Sequence, residues 1–343
     1  MNQHKMLDAG IRDGRERRAK RERKSALGLR EGWRLLGLRQ GRPLGPDSSE
    51  LRMSTITSRD NKWLKAFRTA LRGKGPRMGA GPDSGADELI GIEGPKLVEE
   101  ALRSGLEAEA LLVSDSGERD AQRVLQAASE SEAGIPRSRI LRTTDKLFES
   151  VSGTEAPQGV AALFRQRVWG LDDVLRGPGA MRENPPLVIV LAAVQDPGNV
   201  GTILRSAEAF GATGAVATRG TADPWSPKAL RASAGSALRL PVLRGMAIPI
   251  LLAQLRIAGV RIYAASSESN GHGGGASADL REPAAIFVGN EGAGLPPEVT
   301  RAADATISIP TSGAVESLNA GVAASIVLYE AARQRKQSVK NLD

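Results

Sequence analysis

Apolar and polar positions along this chain follow two periods, and the switches between them outline its elements. Trp63, Leu64, Phe67, Ala70 and Leu71 share one face at helical spacing, with Lys62, Lys65, Arg68 and Arg72 around them; this predicts a basic amphipathic helix. From about residue 87 to 167, apolar runs at 88–92, 110–113, 139–141 and 160–164 alternate with helical stretches at 95–104, 119–128 and 144–151. That alternation reads as a small α/β domain. From 187 it resumes. Residues 187–193 are apolar throughout, as in a strand buried on both faces. A helix is expected at 199–210, closed by Gly211. Strands follow at 215–218, 261–265, 284–288 and 306–309, and helices at 227–236, 247–257 and 317–333. The order predicts a parallel sheet with helices on both faces. Ligands of such sheets bind at the carboxyl ends of the strands.

The same pattern divides the chain. Residues 1–53 are an Arg-rich, aperiodic basic extension, expected to be disordered. Residues 54–86 hold the basic helix and a Gly/Pro-rich linker, 87–167 the small domain, 168–186 a second linker ending in Asn-Pro-Pro, and 187–336 the larger domain. The Gly-rich stretch 271–275, with His272, reads as a flexible loop.

Composition narrows the chemistry. The 343 residues contain no cysteine, which removes disulfides, thiolate metal sites and a cysteine nucleophile. His4 and His272 are the only histidines, too few for a histidine-rich metal centre. No run approaches the roughly 18 apolar residues of a membrane span, and the start lacks a signal-peptide core; cytoplasmic placement is expected. The net charge of +8 is uneven: residues 1–50 hold 13 Lys+Arg and 7 Asp+Glu, residues 51–80 hold 8 and 1, and residues 81–343 hold 26 and 31. The basic end suits phosphate backbones or is simply a solvated leader.

Three polar turns, each closing an apolar strand, carry the candidate chemistry. The first, V-Q-D-P-G-N-V-G-T-I-L-R, runs from Val194 to Arg205. Pro197 and Gly198 favour a tight turn, Asn199 is a candidate helix cap, and Arg205 lies roughly 120° around that helix from Asn199. The second, I-F-V-G-N-E-G-A-G-L, runs from Ile286 to Leu295. Glycines 289, 292 and 294 allow backbone to approach a ligand, with Glu291 as an acceptor among them. The third, I-P-T-S-G-A-V-E-S-L-N, runs from Ile309 to Asn319 and places Glu316, Ser317 and Asn319 at the mouth of a small-residue helix, where free N–H groups attract acceptors. Each turn alone is also explained by capping and packing.

In this order, N-x-G-x-x-x-R, G-N-E-G-x-G-L and I-P-x-x-G-x-V-E-S-L-N resemble the SpoU (TrmH) family of RNA ribose 2′-O-methyltransferases, in the SPOUT superfamily. The motifs cover 187–334, and 87–167 resembles the substrate-binding domain that precedes many catalytic domains of the family. The segment from Ile56 to Asn61 is similar to a common beginning of such proteins, which suggests Met53 as the start, with 1–52 either an upstream over-reading or a lineage-specific arm. The resemblance implies a deep trefoil knot, an exception to unknotted chains, and a homodimer packed through the catalytic domains. It implies S-adenosyl-L-methionine as cofactor, held by backbone at Gly289, Ile309 and Leu318. It also implies a pocket of Arg205, Asn199, Glu291, Ser317 and Asn319.

Within that resemblance the expected function is methyl transfer to a ribose 2′-hydroxyl of RNA, ribosomal RNA before tRNA. Arginine holds its proton with a pKa above about 12, so Arg205 is read as a phosphate clamp and orienter, with a proton relay through Ser317, phosphate or water left open. Trp63 and Phe67 either stack on bases or pack the core, and the core is favoured. The segment from Asp223 to Pro227 is placed over the active site; Lys228 and Arg231 after it either touch phosphates or are solvated. Two alternatives remain: a base methyltransferase of the same superfamily, and a non-catalytic RNA-binding or assembly protein. A nucleotide-dependent oxidoreductase is disfavoured, because no G-x-G-x-x-G follows the first strand.

Overall fold

In a computed structural model the described residues are 54–75, 88–131, 134–136, 139–179, 184–266, 278–311 and 317–340. All lie in one compact unit, Arg52–Asp343. The basic extension, Met53, most of the first linker, His4, the 271–275 loop with His272 and Glu316 lie outside the described residues.

The first sheet has five strands: β1 (Ser54–Ile56), β2 (Leu89–Glu93), β3 (Ala108–Ser114), β4 (Ile140–Thr143) and β5 (Val160–Arg165), in the order β1-β4-β3-β5-β2. The β1–β4 and β3–β4 pairs are parallel, and β5 runs antiparallel to β2 and β3. Strand alternation sends Ala110, Leu112, Ala161 and Leu163 to one face, against α1 (Lys62–Ala70) and α4 (Asp145–Glu149). Leu111, Val113, Ala162 and Phe164 face α2 (Pro95–Arg103) and α3 (Glu118–Glu130). The basic helix therefore forms as expected, with Asn61 capping it through Trp63 N–H. Phe67 is fully buried, which removes it as a stacking platform. Trp63 is half-buried against the same core, with Lys62 and Arg139 over its ring.

The second sheet has six strands, all parallel: β6 (Leu187–Leu191), β7 (Gly214–Thr218), β8 (Val242–Met246), β9 (Arg261–Ser266), β10 (Ala284–Val288) and β11 (Ala305–Ser308). Their order is β11-β9-β10-β6-β7-β8. Leu187, Ile189 and Leu191 pack toward α6 (Pro197–Ala209), α7 (Pro227–Ser233), α8 (Ser236–Arg239) and α11 (Ala320–Lys340). Val188 and Val190 pack toward α5 (Leu171–Arg176), α9 (Ile248–Ile257) and α10 (Pro297–Ala302). Both faces are covered, which explains the unbroken apolar run of β6. From β6 the chain moves outward through β7 to β8, then returns across the sheet to β9. The β6/β10 boundary is therefore a topological switch point, where such sheets open a crevice.

Several local expectations change. Strands β1 and β8 and helices α5 and α10 add to the predicted set, and α5 lies inside the expected 168–186 linker. The predicted 227–236 helix breaks, because Ala234 and Gly235 both adopt left-handed φ values, 47° and 86°. The last helix starts at Ala320, not Ser317.

Two arginines join parts of the chain that are distant in sequence. Arg335, on α11, donates from Nε to Leu280 C=O (2.7 Å) and from Nη2 to the carbonyls of Pro186 (3.0 Å) and Glu282 (2.9 Å), and it also reaches Pro185 C=O. This ties the last helix to the segments entering β6 and β10. Arg239 binds both carboxylate oxygens of Glu208 (2.6 and 2.8 Å) and Glu100 Oε2 on α2 (2.7 Å), linking the two sheet assemblies. Burial alone would raise the Glu208 carboxyl, but the hydrogen bonds from Arg239 and Ser236 hold it below its ordinary range.

Hydrogen bonds from a charged donor contribute about 1.5–3 kcal/mol. Arg335→Ala leaves several carbonyls without that donor, so it is expected to destabilise the protein by about 2–4 kcal/mol in chemical denaturation. A lone ammonium cannot span these acceptors, so Arg335→Lys is expected to recover little of the loss. The Glu208 pairing acts with the sign of a depressed carboxyl pKa. Its stabilisation is present above the unfolded value, about 4.3, and fades as pH falls through the folded value. The destabilisation caused by Arg239→Ala is therefore expected to be largest near neutral pH and to shrink on acidification, as read from denaturation midpoints along a pH series.

Candidate functional site at the switch point

Strand register sets the geometry. Val288 pairs with Leu191, and Leu191 with Ala217, so β10, β6 and β7 end level. Phe287 pairs with Ala264 and Ser308 with Ser266. Two further residues along the ladder put Gly289 level with Ser308, with β9 between them, or about 10 Å apart. Gly289 and Ile309 thus both leave the carboxyl edge of the sheet, close to the loop after β6.

That first loop turns sharply. Ala193 adopts a left-handed φ of 58°, a conformation that costs a non-glycine residue about 1–2 kcal/mol. Its N–H donates to Thr218 Oγ1 (3.2 Å) and Thr221 Oγ1 (3.1 Å), and its C=O accepts from Asn290 Nδ2 (3.0 Å). Three partners from two other loops hold the strained residue. Asp196 then caps α6 by accepting from Gly198 N–H (3.1 Å), with Pro197 in the first turn. The expectation that Asn199 caps this helix is corrected: Asp-Pro supplies the cap, which places Asn199 inside the first turn. Lys228 Nζ lies 2.7 Å from Asp196 Oδ1. That ammonium, with the Gly198 N–H, holds the Asp196 carboxyl below its usual range.

The loop after β10 is built by Asn290. Its Oδ1 accepts from Gly292 and Ala293 N–H (both 2.9 Å), and its backbone exchanges two 3.0 Å bonds with Gly294. A Cβ on Gly289 would lie 2.4 Å from the Gly294 carbonyl carbon. The glycine at 289 is therefore required by the loop's own packing, and at 294 by a φ of 68°. Close approach of a ligand, expected from the spacing, is not needed to explain either.

One side-chain chain joins the loops. Asn199 Nδ2 donates to Glu291 Oε1 (2.7 Å), and Asn199 Oδ1 accepts from Asn319 Nδ2 (2.9 Å). Asn319 in turn accepts from Gly321 N–H (2.9 Å) and Val322 N–H (3.2 Å), so Asn319, not Ser317, caps α11. Asn199 is buried, while Glu291 and Asn319 are exposed. Of the sequence candidates, the structure brings Asn199, Glu291 and Asn319 into contact. Leu318, half-buried, precedes Asn319, and Ile309, half-buried, packs on the main core. Ser317 is exposed and Arg205 sits on the outer face of α6. Neither makes a hydrogen bond or ion pair among the described residues. Sequence reasoning missed the contacts of Asn290, Ala193, Asp196 and Lys228. Asp-Pro before a helix and asparagine between glycines are legible signals for two of them.

The comparisons with known proteins agree with this layout. A family model described as the SpoU rRNA Methylase family matches residues 186–329, and one described as the MRM3-like substrate binding domain matches 86–162. The chain is 34% identical over 240 residues to the 23S rRNA (guanosine(2553)-2′-O)-methyltransferase RlmP of Bacillus subtilis, covering 69% of this chain and 86% of that protein. An AdoMet-bound rRNA methyltransferase from Sinorhizobium meliloti superposes with a TM-score of 0.66 at 30% identity, over 82% of this chain and 98% of that one. The SpoU methyltransferase AviRb from Streptomyces viridochromogenes, in complex with AdoMet, gives 0.64 at 27% identity, over 80% and 98%. A parallel sheet with its loops gathered at the switch point, two matching models and a relative matched along most of its length lead to one conclusion: this chain belongs to the SpoU rRNA methylase family of S-adenosylmethionine-dependent RNA methyltransferases.

Proposed function

We propose that this chain methylates a ribose 2′-hydroxyl of ribosomal RNA in the cytoplasm, using S-adenosylmethionine. The observation that carries the reading is the Glu291–Asn199–Asn319 chain, which draws the loops after β6, β10 and β11 to one point of the carboxyl edge. When bound, the cofactor supplies a methyl group activated by a positively charged sulfur. Gly289, Ile309 and Leu318 are the residues to hold it.

The remaining residues act on the RNA. Arg205 keeps its proton near neutral pH, as guanidinium groups do, so it serves as a donor. It holds a phosphate beside the target ribose and orients the hydroxyl, and such positioning lowers the barrier by fixing the line of attack. Ser317, exposed two residues before Asn319, passes on to water the proton that the hydroxyl loses. Asn199, Glu291 and Asn319 keep the loops in register. We assign substrate recognition to 87–167 with the basic helix of 54–86, and methyl transfer to 187–336. The family's trefoil knot is carried over to the latter.

The catalytic half also offers a face for a second copy. On α11, Val322 (47% exposed), Ile326 (41%) and Tyr329 (57%) form a stripe at spacings of four and three. Beside it, Thr202 of α6 lies against Gly321, and Arg205 lies one turn further on the same exposed face. Pairing two copies through this stripe buries the apolar surface and brings Arg205 toward the partner's pocket.

Arg205→Ala is expected to lower methyl incorporation into ribosomal RNA by about 10²–10⁴-fold while leaving S-adenosylmethionine binding, measured by calorimetry, unchanged. A ribose-methylation map of ribosomal RNA from a strain lacking this gene is expected to lose a site that the wild-type gene restores and Arg205→Ala does not. Full turnover by the variant would remove the assignment, and an unaltered map would remove the reaction. Ile326→Glu with Tyr329→Glu is expected to convert a dimer into a folded monomer by light scattering and to abolish turnover; a wild-type monomer that methylates RNA would contradict the pairing.

A further inference from the structure

The body of the molecule is slightly acidic, with 26 Lys+Arg against 31 Asp+Glu over 81–343, yet one stretch of its surface is basic. Gly201 of α6 packs directly on α7: a Cβ there would sit 2.5 Å from Ala229 C=O and 2.6 Å from Ala232 Cβ. This close approach lays the two helices side by side. Gly198 and Arg205 are seven residues apart on α6, so they share one face about 10 Å apart. Lys228 of α7 reaches that face, since its Cε lies 3.5 Å from the position of a Cβ on Gly198. Arg231 follows three residues later, on the same side of α7 as Lys228. Lys228, Arg231 and Arg205 are all exposed. The carboxylates nearest to them along these helices are engaged: Asp196 caps α6, and Glu208 is bound by Arg239.

The side chains of Arg205 and Arg231 make no ion pair or hydrogen bond among the described residues. Lys228 has Asp196, and that contact is replaceable. Asp196 accepts its capping bond from Gly198 N–H as a contact separate from Lys228, and an exposed lysine–carboxylate pair holds weakly. The ammonium can swing to a stronger anion without opening the helix. Ammonium and guanidinium groups spaced along a surface, with no base-reading geometry, are the chemistry of a phosphate track.

We infer that Lys228 and Arg231 bind the phosphate backbone of the RNA strand next to the methylated nucleotide, leading it along α7 toward Arg205. The inference rests on the RNA-methylating reading above and adds where the flanking strand runs. The binding is sequence-independent, so its signature is electrostatic. Every phosphate of a single strand that the protein neutralises adds roughly 0.7 to the steepness of log K against log salt.

The test uses the full chain with Lys228→Gln and Arg231→Gln together. The probe is a fluorescent single-stranded 20-nucleotide RNA, titrated by anisotropy over a potassium chloride series, with circular dichroism melting as the folding check. The expected result is a slope shallower by about 1.4, weaker binding at every salt concentration, and unchanged S-adenosylmethionine affinity. Lys228→Arg retains the wild-type slope, because charge and not the Asp196 pair is what matters. A double variant with the wild-type slope would overturn the inference, as would the same weakening of binding from Asp196→Asn, which keeps a capping side chain and would point to the Asp196–Lys228 pair instead. Methyl incorporation into unmodified ribosomal RNA is measured in parallel. Absent incorporation by wild-type protein, with the slope still shallower in the double variant, would sink the methylation reading and leave the phosphate track standing.

Discussion

A primary amide can donate and accept at once, and Asn199 uses both halves of its side chain to hold together loops that come from three parts of the chain. Glu291 is 92 residues away and Asn319 is 120. The residue is buried, so either half left unpaired carries the penalty of a desolvated polar group. That makes the meeting of the loops close to all-or-none. Once Asn319 is engaged it caps α11 through Gly321 and Val322, and the start of the last helix is set by the same contact. The site and the C-terminal helix are thus one construction.

The supports around this contact lie at both ends of the sheet. At the carboxyl edge, Thr218, Thr221 and Asn290 hold Ala193 in a conformation it would not adopt alone. At the opposite edge, Arg335 fastens the distal part of α11 to the chain entering β6 and β10. The last helix is gripped near both ends, so Asn319 at its start is held against the other two loops. The proposed cofactor site, held by main-chain groups, needs this, because peptide positions are only as accurate as the loops that carry them.

The connection between the two sheet assemblies follows the same logic. Arg239 spans α2 and α6 through Glu100 and Glu208. Arg244 reaches Glu88 and Gln166 on one side and Asp223 on the other, with its guanidinium over Trp225. The segment from Asp223 to Pro227 is therefore fastened to the first assembly just before α7 begins. The two sheet assemblies are thus mechanically joined by charged, partly exposed contacts.

Much of this was legible in the residues. The apolar runs that become β6 and β10 leave few alternatives, because a strand covered on both faces must be apolar at every position. The order of strands and helices defined the parallel sheet, and the three turn motifs named Asn199, Glu291 and Asn319 and led to the family. Shorter or less apolar elements, β1, β8 and α10, were missed because their stability comes from neighbours and not from local pattern. The cap of α6 was placed three residues late, and the start of α11 three residues early, for a related reason. Asp196 and Asn199 are both good caps by type, as are Ser317 and Asn319, and only long-range partners decide between them. Glycines 289 and 294 carried no label saying whether a ligand or their own loop needed the space. Sequence determined what each segment could form, through periodicity and side-chain chemistry acting over a few residues. Which polar groups would meet, and hence that Asn199 would join three loops and leave Arg205 exposed, was decided only when the sheet order brought distant segments within hydrogen-bonding range.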